Sequence, residues 1–185
     1  GSAVTYTINI NPNPSVSNAV DQVICSGTST TLSSYQNNVA GGGFTWNLLN
    51  NNIPNTVTGF LAPSGSGQLA AAVVSNSGTQ PYTLNYLITP NAAGCNGQPD
   101  TLSITVMPAP ALQFTGGPNQ SICSGQSTAS INMTSTTPNV TWSWTVISSN
   151  NVSGVNPNSG SSATIPSFTL TQGTNTPQSV IISAQ

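Results

Sequence analysis

Five side chains in this sequence are of types able to do chemistry: Asp21, Asp100, Cys25, Cys95 and Cys123. The two aspartates are its only carboxylate side chains. A carboxylate pair is what glycoside hydrolysis needs across a substrate cleft. Carboxylates also belong to calcium sites, which take six to eight oxygens. Asp21 lies four residues before Cys25 and Asp100 five after Cys95, so a Cys25–Cys95 link gathers both into one neighbourhood. The plainer reading is two solvated loop residues. It is the one taken here, with no catalytic residue, no metal and no cofactor assigned.

What is absent excludes more. There is no Lys, no Arg and no His. Without His there is no neutral-pH proton shuttle and no imidazole ligand. Without Lys or Arg there is no phosphate clamp and no counterion release from nucleic acid. A formal charge of −2 gives no attraction to anionic membranes. No apolar run approaches the ~20 residues of a membrane span. The chain is expected to be neither an enzyme nor a nucleic-acid binder. At 36 % apolar, with aromatic and β-branched residues in alternation, it is also not a disordered chain.

The cysteines read as structural. Cys95 follows a strand-like run, and Cys25 precedes the second strand of its repeat. A Cys25–Cys95 disulfide is therefore expected, closing a 70-residue loop (25 to 95). The chain-entropy model credits such a loop with ~4 kcal/mol. Cys123 is then left unpaired, its partner falling near position 193. Three Cys without His do not make a zinc site. A disulfide implies an oxidising, extracytosolic compartment.

These residues sit in a repeat. Ile24-Cys25-Ser26-Gly27 recurs as Ile122-Cys123-Ser124-Gly125, an offset of 98 residues. Phe44-Thr45-Trp46 is matched by Trp142-Ser143-Trp144 at the same offset. Thr5–Pro14 (TYTININPNP) parallels Thr101–Pro110 (TLSITVMPAP). A period near a hundred is a domain repeat, longer than a solenoid unit. Residues 1–14 read as the last strand and linker of a preceding repeat, with Gly1-Ser2 a cloning remnant. Residues 15–110 read as one complete repeat, and residues 111–185 as an incomplete second one.

Period-2 alternation marks the strands: Val4 to Ile10, Phe44 to Leu48, Tyr82 to Ile88, Leu102 to Val106, Trp142 to Val146, Val180 to Ile182. Gly, Pro, Asn and Ser clusters separate them, and no stretch has helical periodicity with a credible cap. The fold class is all-β: tandem antiparallel β-sandwiches of immunoglobulin-like type. The Pro-containing joints Ile10–Pro14 and Val106–Pro110 are expected to be short and semi-rigid. Phe44, Trp46, Tyr82, Tyr86, Trp142 and Trp144 are expected in the cores, with Trp46 and Trp144 in the third-strand position. A sugar-stacking platform is the alternative use of these rings.

The ordered set Ile-Cys-Ser-Gly, Phe44-Thr45-Trp46, Tyr82–Pro90, Gly94-Cys95-Asn96-Gly97 and Leu102–Pro108 resembles the PKD-like repeats of giant Bacteroidota surface adhesins. Those adhesins are exported by type IX secretion and are of the SprB gliding-motility type. The resemblance implies an extracellular, cell-surface spacer in a long filament serving adhesion and gliding. Its partners would be neighbouring repeats, with surface polysaccharide or other cell-surface proteins beyond them. Phe44-Thr45-Trp46-Asn47 lacks the acids of the better-known Trp-Asp-Phe-Gly-Asp-Gly strand. Asp100-Thr101-Leu102 resembles the Bacteroidota O-glycosylation acceptor, which implies a glycan on Thr101. The alternative function is a carbohydrate-binding module. One further arrangement is head-to-tail strand exchange, with residues 3–10 of one molecule completing residues 112–185 of another.

Overall fold

The computed structural model describes residues 1–185. It contains strands and turns with no helix. The chain divides into two compact units, Gly1–Ala109 and Pro110–Gln185.

The first unit opens with β1 (Val16–Ser17), β2 (Gln22–Cys25), β3 (Thr28–Ser29), β4 (Gln36–Asn37) and β5 (Gly43–Leu48). It continues with β6 (Val57–Thr58), β7 (Ser64–Ser66), β8 (Val73–Asn76), β9 (Tyr82–Ala92), β10 (Cys95–Asn96) and β11 (Asp100–Met107). One sheet runs β2-β11-β9-β5-β7, with β10 folded back onto β9. A second runs β3-β8-β6, and β1 pairs β4. Alternation decides which side chains enter the core. On β5, Phe44 and Trp46 are buried. On β9 the same holds for Leu84, Tyr86 and Ile88, and on β11 for Leu102, Ile104 and Val106. Val57, Leu69, Val74 and Tyr35 complete this core.

The second unit has β12 (Leu112–Thr115), β13 (Ile131–Ser135), β14 (Trp144–Ser148) and β15 (Val152–Ser153). After them come β16 (Ser159–Gly160), β17 (Thr164–Ile165), β18 (Thr171–Gln172) and β19 (Ile181–Ala184). They pair as β12-β13-β17, β16-β14-β19 and β15-β18. The core is small: Met133, Trp144, Ile165 and Phe168, with Trp142 and Ile182 partly buried against it.

The Ile-Cys-Ser-Gly motif is a corner. The chain leaves the first sheet at Cys25 and enters the second at Thr28. The turn needs Gly27 at φ +79°, a region costly for side chains other than glycine. Thr28 Oγ1 donates to the Cys25 carbonyl at 2.7 Å. Gly125 repeats the conformation at φ +86°.

The repeat extends to individual hydrogen bonds. Gln22 brackets Thr31 through both amide atoms (3.2 and 2.8 Å), and Gln120 brackets Ala129 likewise (3.1 and 2.8 Å). The amides of Asn76 and Gln172 donate to Ser26 Oγ and Ser124 Oγ at 2.8 and 3.0 Å. Trp46 pairs with Gly65 and Ile88, and Trp144 with Gly160 and Ala184. The offset is 98 in the first half of each unit. It is 98 at Trp46 and Trp144 but 96 at Asn76 and Gln172 and still 96 at β9 and β19, so the connections between β5 and β8 lose two residues in the second unit.

Residues 1–13 carry no strand, and Val4, Tyr6, Ile8 and Ile10 are exposed. Their alternation matches a strand, but they join no sheet. A lone strand does not hold itself extended in water.

Burial has one titration consequence. It raises the Tyr35 and Tyr86 hydroxyls above their ordinary value of 10, while backbone hydrogen bonds at Leu69 and Leu61 pull the other way. Below that pH both phenols are protonated in either state, and their contribution is intact. Above it the unfolded chain ionises first, which favours unfolding. The urea midpoint should therefore fall as pH rises from about 10 to about 11. A midpoint that holds across that window contradicts the assignment.

Candidate functional site

The residues able to do chemistry are dispersed. Asp21 precedes β2, and its Oδ1 accepts from the Ser103 amide at 2.8 Å. Asp100 opens β11, and its Oδ1 accepts from the amide of the next residue, Thr101, at 2.8 Å. Both are exposed. Asp21 is held beside Ser103, three positions along β11 from Asp100, or about 10 Å at ~3.3 Å per residue. Each carboxylate accepts a backbone hydrogen bond. No three groups of metal-ligating type cluster anywhere in the structure.

The expected Cys25–Cys95 disulfide is not formed: Cys25, Cys95 and Cys123 are all free thiols. The sheet register explains why. β2 pairs parallel with β11, which sets Cys25 beside Met107 at the C-terminal end of that strand. At the other end, Asp100 pairs with Ile88. Beyond Ile88, β9 continues to Ala92, turns through Ala93 (φ +49°) and Gly94 (φ +81°), and brings Cys95 back opposite Ala92. Two positive-φ residues are what a tight two-residue hairpin loop needs. The seven residue steps from Asp100 to Met107 alone span about 23 Å. A disulfide requires Cα atoms within about 7 Å. The sequence shows how many residues separate the cysteines, but not that they lie at opposite ends of one sheet.

Native thiol titration tests this directly. All three cysteines should react without denaturant, Cys25 and Cys123 quickly and the half-buried Cys95 more slowly. A single reactive thiol would restore the cross-link.

The aromatic residues fall into two groups. Phe44, Trp46, Tyr86 and Trp144 are buried, whereas Tyr82 and Trp142 are half-buried at core margins. Tyr82 Oη accepts from Asn50 Nδ2 at 3.3 Å and donates to the Asn52 carbonyl at 3.2 Å. Two further aromatics missed by sequence reasoning are buried. Tyr35 meets Phe44 edge-on at 4.7 Å, and Phe168 meets Trp144 at 6.3 Å. Neither stands in an alternating run, so periodicity gave no signal for them. Thr101 is exposed on β11.

A groove of about 500 Å³ lies within the second unit. Its two walls are the 120–123 segment and the 180–182 segment. Apolar side chains, among them Ile131, Ile165, Phe168 and Leu170, contribute to its lining.

Comparison with known proteins adds family-level information. No curated protein matches the chain. Among solved structures, the chain is similar to the CsuC–CsuE chaperone–tip adhesion subunit pre-assembly complex from archaic chaperone-usher Csu pili of Acinetobacter baumannii. That likeness has 7 % identity and a TM-score of 0.26, over 92 % of this chain and 100 % of that one, and it carries no argument. Residues 22–110, most of the first unit, match the family model of the PKD-like domain, which supports a PKD-like repeat there.

Proposed function

We propose that this chain is a non-catalytic structural repeat of a long extracellular adhesin, of the Bacteroidota type IX-secreted, gliding-motility kind. The observation that carries the reading is serial duplication of one scaffold in which the carboxylates are not duplicated, Asp21 being matched by Asn119. The two units share corners, Gln brackets and Trp-on-Gly contacts. Of the residues able to do chemistry only the corner cysteine recurs, as Cys25 and Cys123, and neither an acid nor a cluster of ligands recurs with it. Each unit has its own core, so its length is maintained without help from a ligand. The absent disulfide removes cross-linking as a source of rigidity, leaving packing and the β-ladders. It also removes cysteine pairing as support for an extracellular location, which rests on the PKD-like match and the sequence resemblance.

Burial of Trp46 and Trp144 weighs against the carbohydrate-binding alternative, because it withdraws the planar residues a sugar platform needs. Thr101 is accessible to a glycosyltransferase, and O-glycosylation there belongs to the same reading. Antibodies raised against residues 15–110 should label intact cells of the source in extended filaments, while a glycan array probed with the chain stays silent. Labelling only after permeabilisation would overturn the surface assignment. Specific glycan binding lost with Tyr82→Ala would overturn the spacer assignment.

A further inference from the structure

We propose that the outer edge of β7, repeated in the second unit as β16, pairs antiparallel with the same edge of a second copy of this chain and joins molecules side by side. This association is a property of the folded chain in solution and stands or falls independently of the spacer reading.

The edge is built the same way twice. β7 ends the sheet β2-β11-β9-β5-β7, with Ser66 opposite Thr45, Gly65 opposite Trp46 and Ser64 opposite Asn47. On either side of this ladder the Gly67 amide donates to the Phe44 carbonyl at 2.9 Å, and the Leu48 amide to the Pro63 carbonyl at 2.7 Å. Antiparallel bonding alternates along a strand. Gly65 therefore turns its amide and carbonyl toward β5, while Ser64 and Ser66 turn theirs away from the sheet. Both serines are exposed, and nothing in the chain pairs with those outward groups. In the second unit β16 ends the sheet β16-β14-β19, with Gly160 opposite Trp144 and Ser159 opposite Thr145. The Val146 amide donates to the Asn158 carbonyl at 2.8 Å, as Leu48 does to Pro63. Ser159 and Ser161 are exposed in their turn.

The occupant follows from what the edge lacks and from its symmetry. Sheet edges are ordinarily blunted by charge, by proline or by a covering segment. The opposite edge of the first sheet is covered: Gln22 on β2 holds the Thr31 backbone through both amide atoms. Neither Ser64-Gly65-Ser66 nor Ser159-Gly160-Ser161 contains a charge or a proline. The two carboxylates lie on the far side of the sheet, before β2 and at the start of β11, so two β7 edges meet without like-charge repulsion. The edge is also self-complementary. Setting Gly65 opposite Gly65 of the second copy places Ser64 opposite Ser66 and Ser66 opposite Ser64, and each serine pair then exchanges both N–H···O bonds. The glycines fall at the position between those bonds, where Cα atoms approach to about 4.5 Å. Trp46 lies directly beneath Gly65 in each copy, where a Cβ would strike its ring. One patch serves both molecules, so the contact is isologous, and an equivalent edge in each unit lets association continue past a pair.

Sedimentation of the whole chain over a hundredfold concentration range tests the association, and its mean mass should at least double. A Ser64→Lys/Ser66→Lys/Ser159→Lys/Ser161→Lys variant sets like charges opposite each other and should stay monomeric. These four side chains are exposed on edge strands, so the fold should survive, and an unchanged urea midpoint checks that it does. Mixing that variant with the one carrying Asp at the same four positions should restore the doubled mass. Register is tested in a Cys25→Ser/Cys95→Ser/Cys123→Ser background. Ser64→Cys and Ser66→Cys chains mixed together should oxidise to dimers several-fold faster than either alone. A whole chain that stays monomeric throughout overturns the proposal. Association that survives the four lysines places the contact elsewhere and overturns it as well. Cross-linking no faster in the mixture than in the single variants overturns the antiparallel pairing.

Discussion

Trp46→Ala should lower the unfolding free energy of the first unit by about 3–5 kcal/mol, the range for deleting a large buried aromatic. For a unit of this size that is a fall in Tm of roughly 15–30 °C. Three observations put the loss in packing. Trp46 is only 8 % exposed. Its ring meets Tyr86 in a T-shaped contact at 5.8 Å and 80°. It also lies over Gly65, which pairs with it across β5 and β7 and has no side chain to hold the ring off. Its indole N–H is buried without a hydrogen-bond partner, so no polar bond is lost with the ring. Trp46→Phe should therefore recover part of the stability, since a smaller ring refills part of the cavity and removes an unpaired donor. The half-buried Trp142 should give a smaller loss on truncation, in the second unit. Calorimetry decides the matter: equal losses at Trp46 and Trp142 would show that burial is not the controlling variable.

These outcomes separate what the sequence exposes from what it hides. Alternation is written in side chains, and wherever a partner strand exists the alternating run becomes a strand with the expected face inward. The Phe44, Tyr82 and Leu102 runs became β5, β9 and β11, three adjacent strands of one sheet. The same pattern from Val4 to Ile10 formed nothing, because alternation shows that a segment has a face to bury but not what will cover it. Pairing in three dimensions is less legible still. Sandwich analogy places a disulfide between facing sheets, whereas the parallel pairing of β2 with β11 puts Cys25 and Cys95 at opposite ends of the same sheet. The recurrence of Ile-Cys-Ser-Gly drew notice to its thiol, but the structural demand falls on its glycine.

Asn76 is another residue whose role single-sequence reading misses. It is 1 % exposed, and its Nδ2 donates to the Gln80 and Val106 carbonyls at 2.8 and 3.0 Å. Nothing separates it in the sequence from the many exposed asparagines. In the second unit Gln172 takes its place, and the offset slip from 98 to 96 hides that equivalence from a constant-offset comparison.

Gly59→Ala should be strongly damaging in the first unit, costing about 3–4 kcal/mol in all. Two effects add. Gly59 has φ +81°, where an L side chain costs about 1–2 kcal/mol. A Cβ there would also run into the carbonyl oxygen of Val73. That oxygen belongs to β8, which is held between β3 and β6 and cannot retreat without opening both ladders. Gly67 separates the two effects. At φ +79° it carries the same backbone strain, but a Cβ on it meets nothing within 4 Å, so Gly67→Ala should lose only the strain component. Gly154 carries the Gly59 arrangement into the second unit, with φ +95° and a Cβ aimed at the Thr169 carbonyl. Gly154→Ala should cost that unit a similar amount, which is a larger share of its stability because its core is smaller. Urea denaturation of the three variants measures the order. If Gly59→Ala and Gly67→Ala cost the same, the approach of the chain to β8 plays no part, and backbone conformation alone explains the glycine.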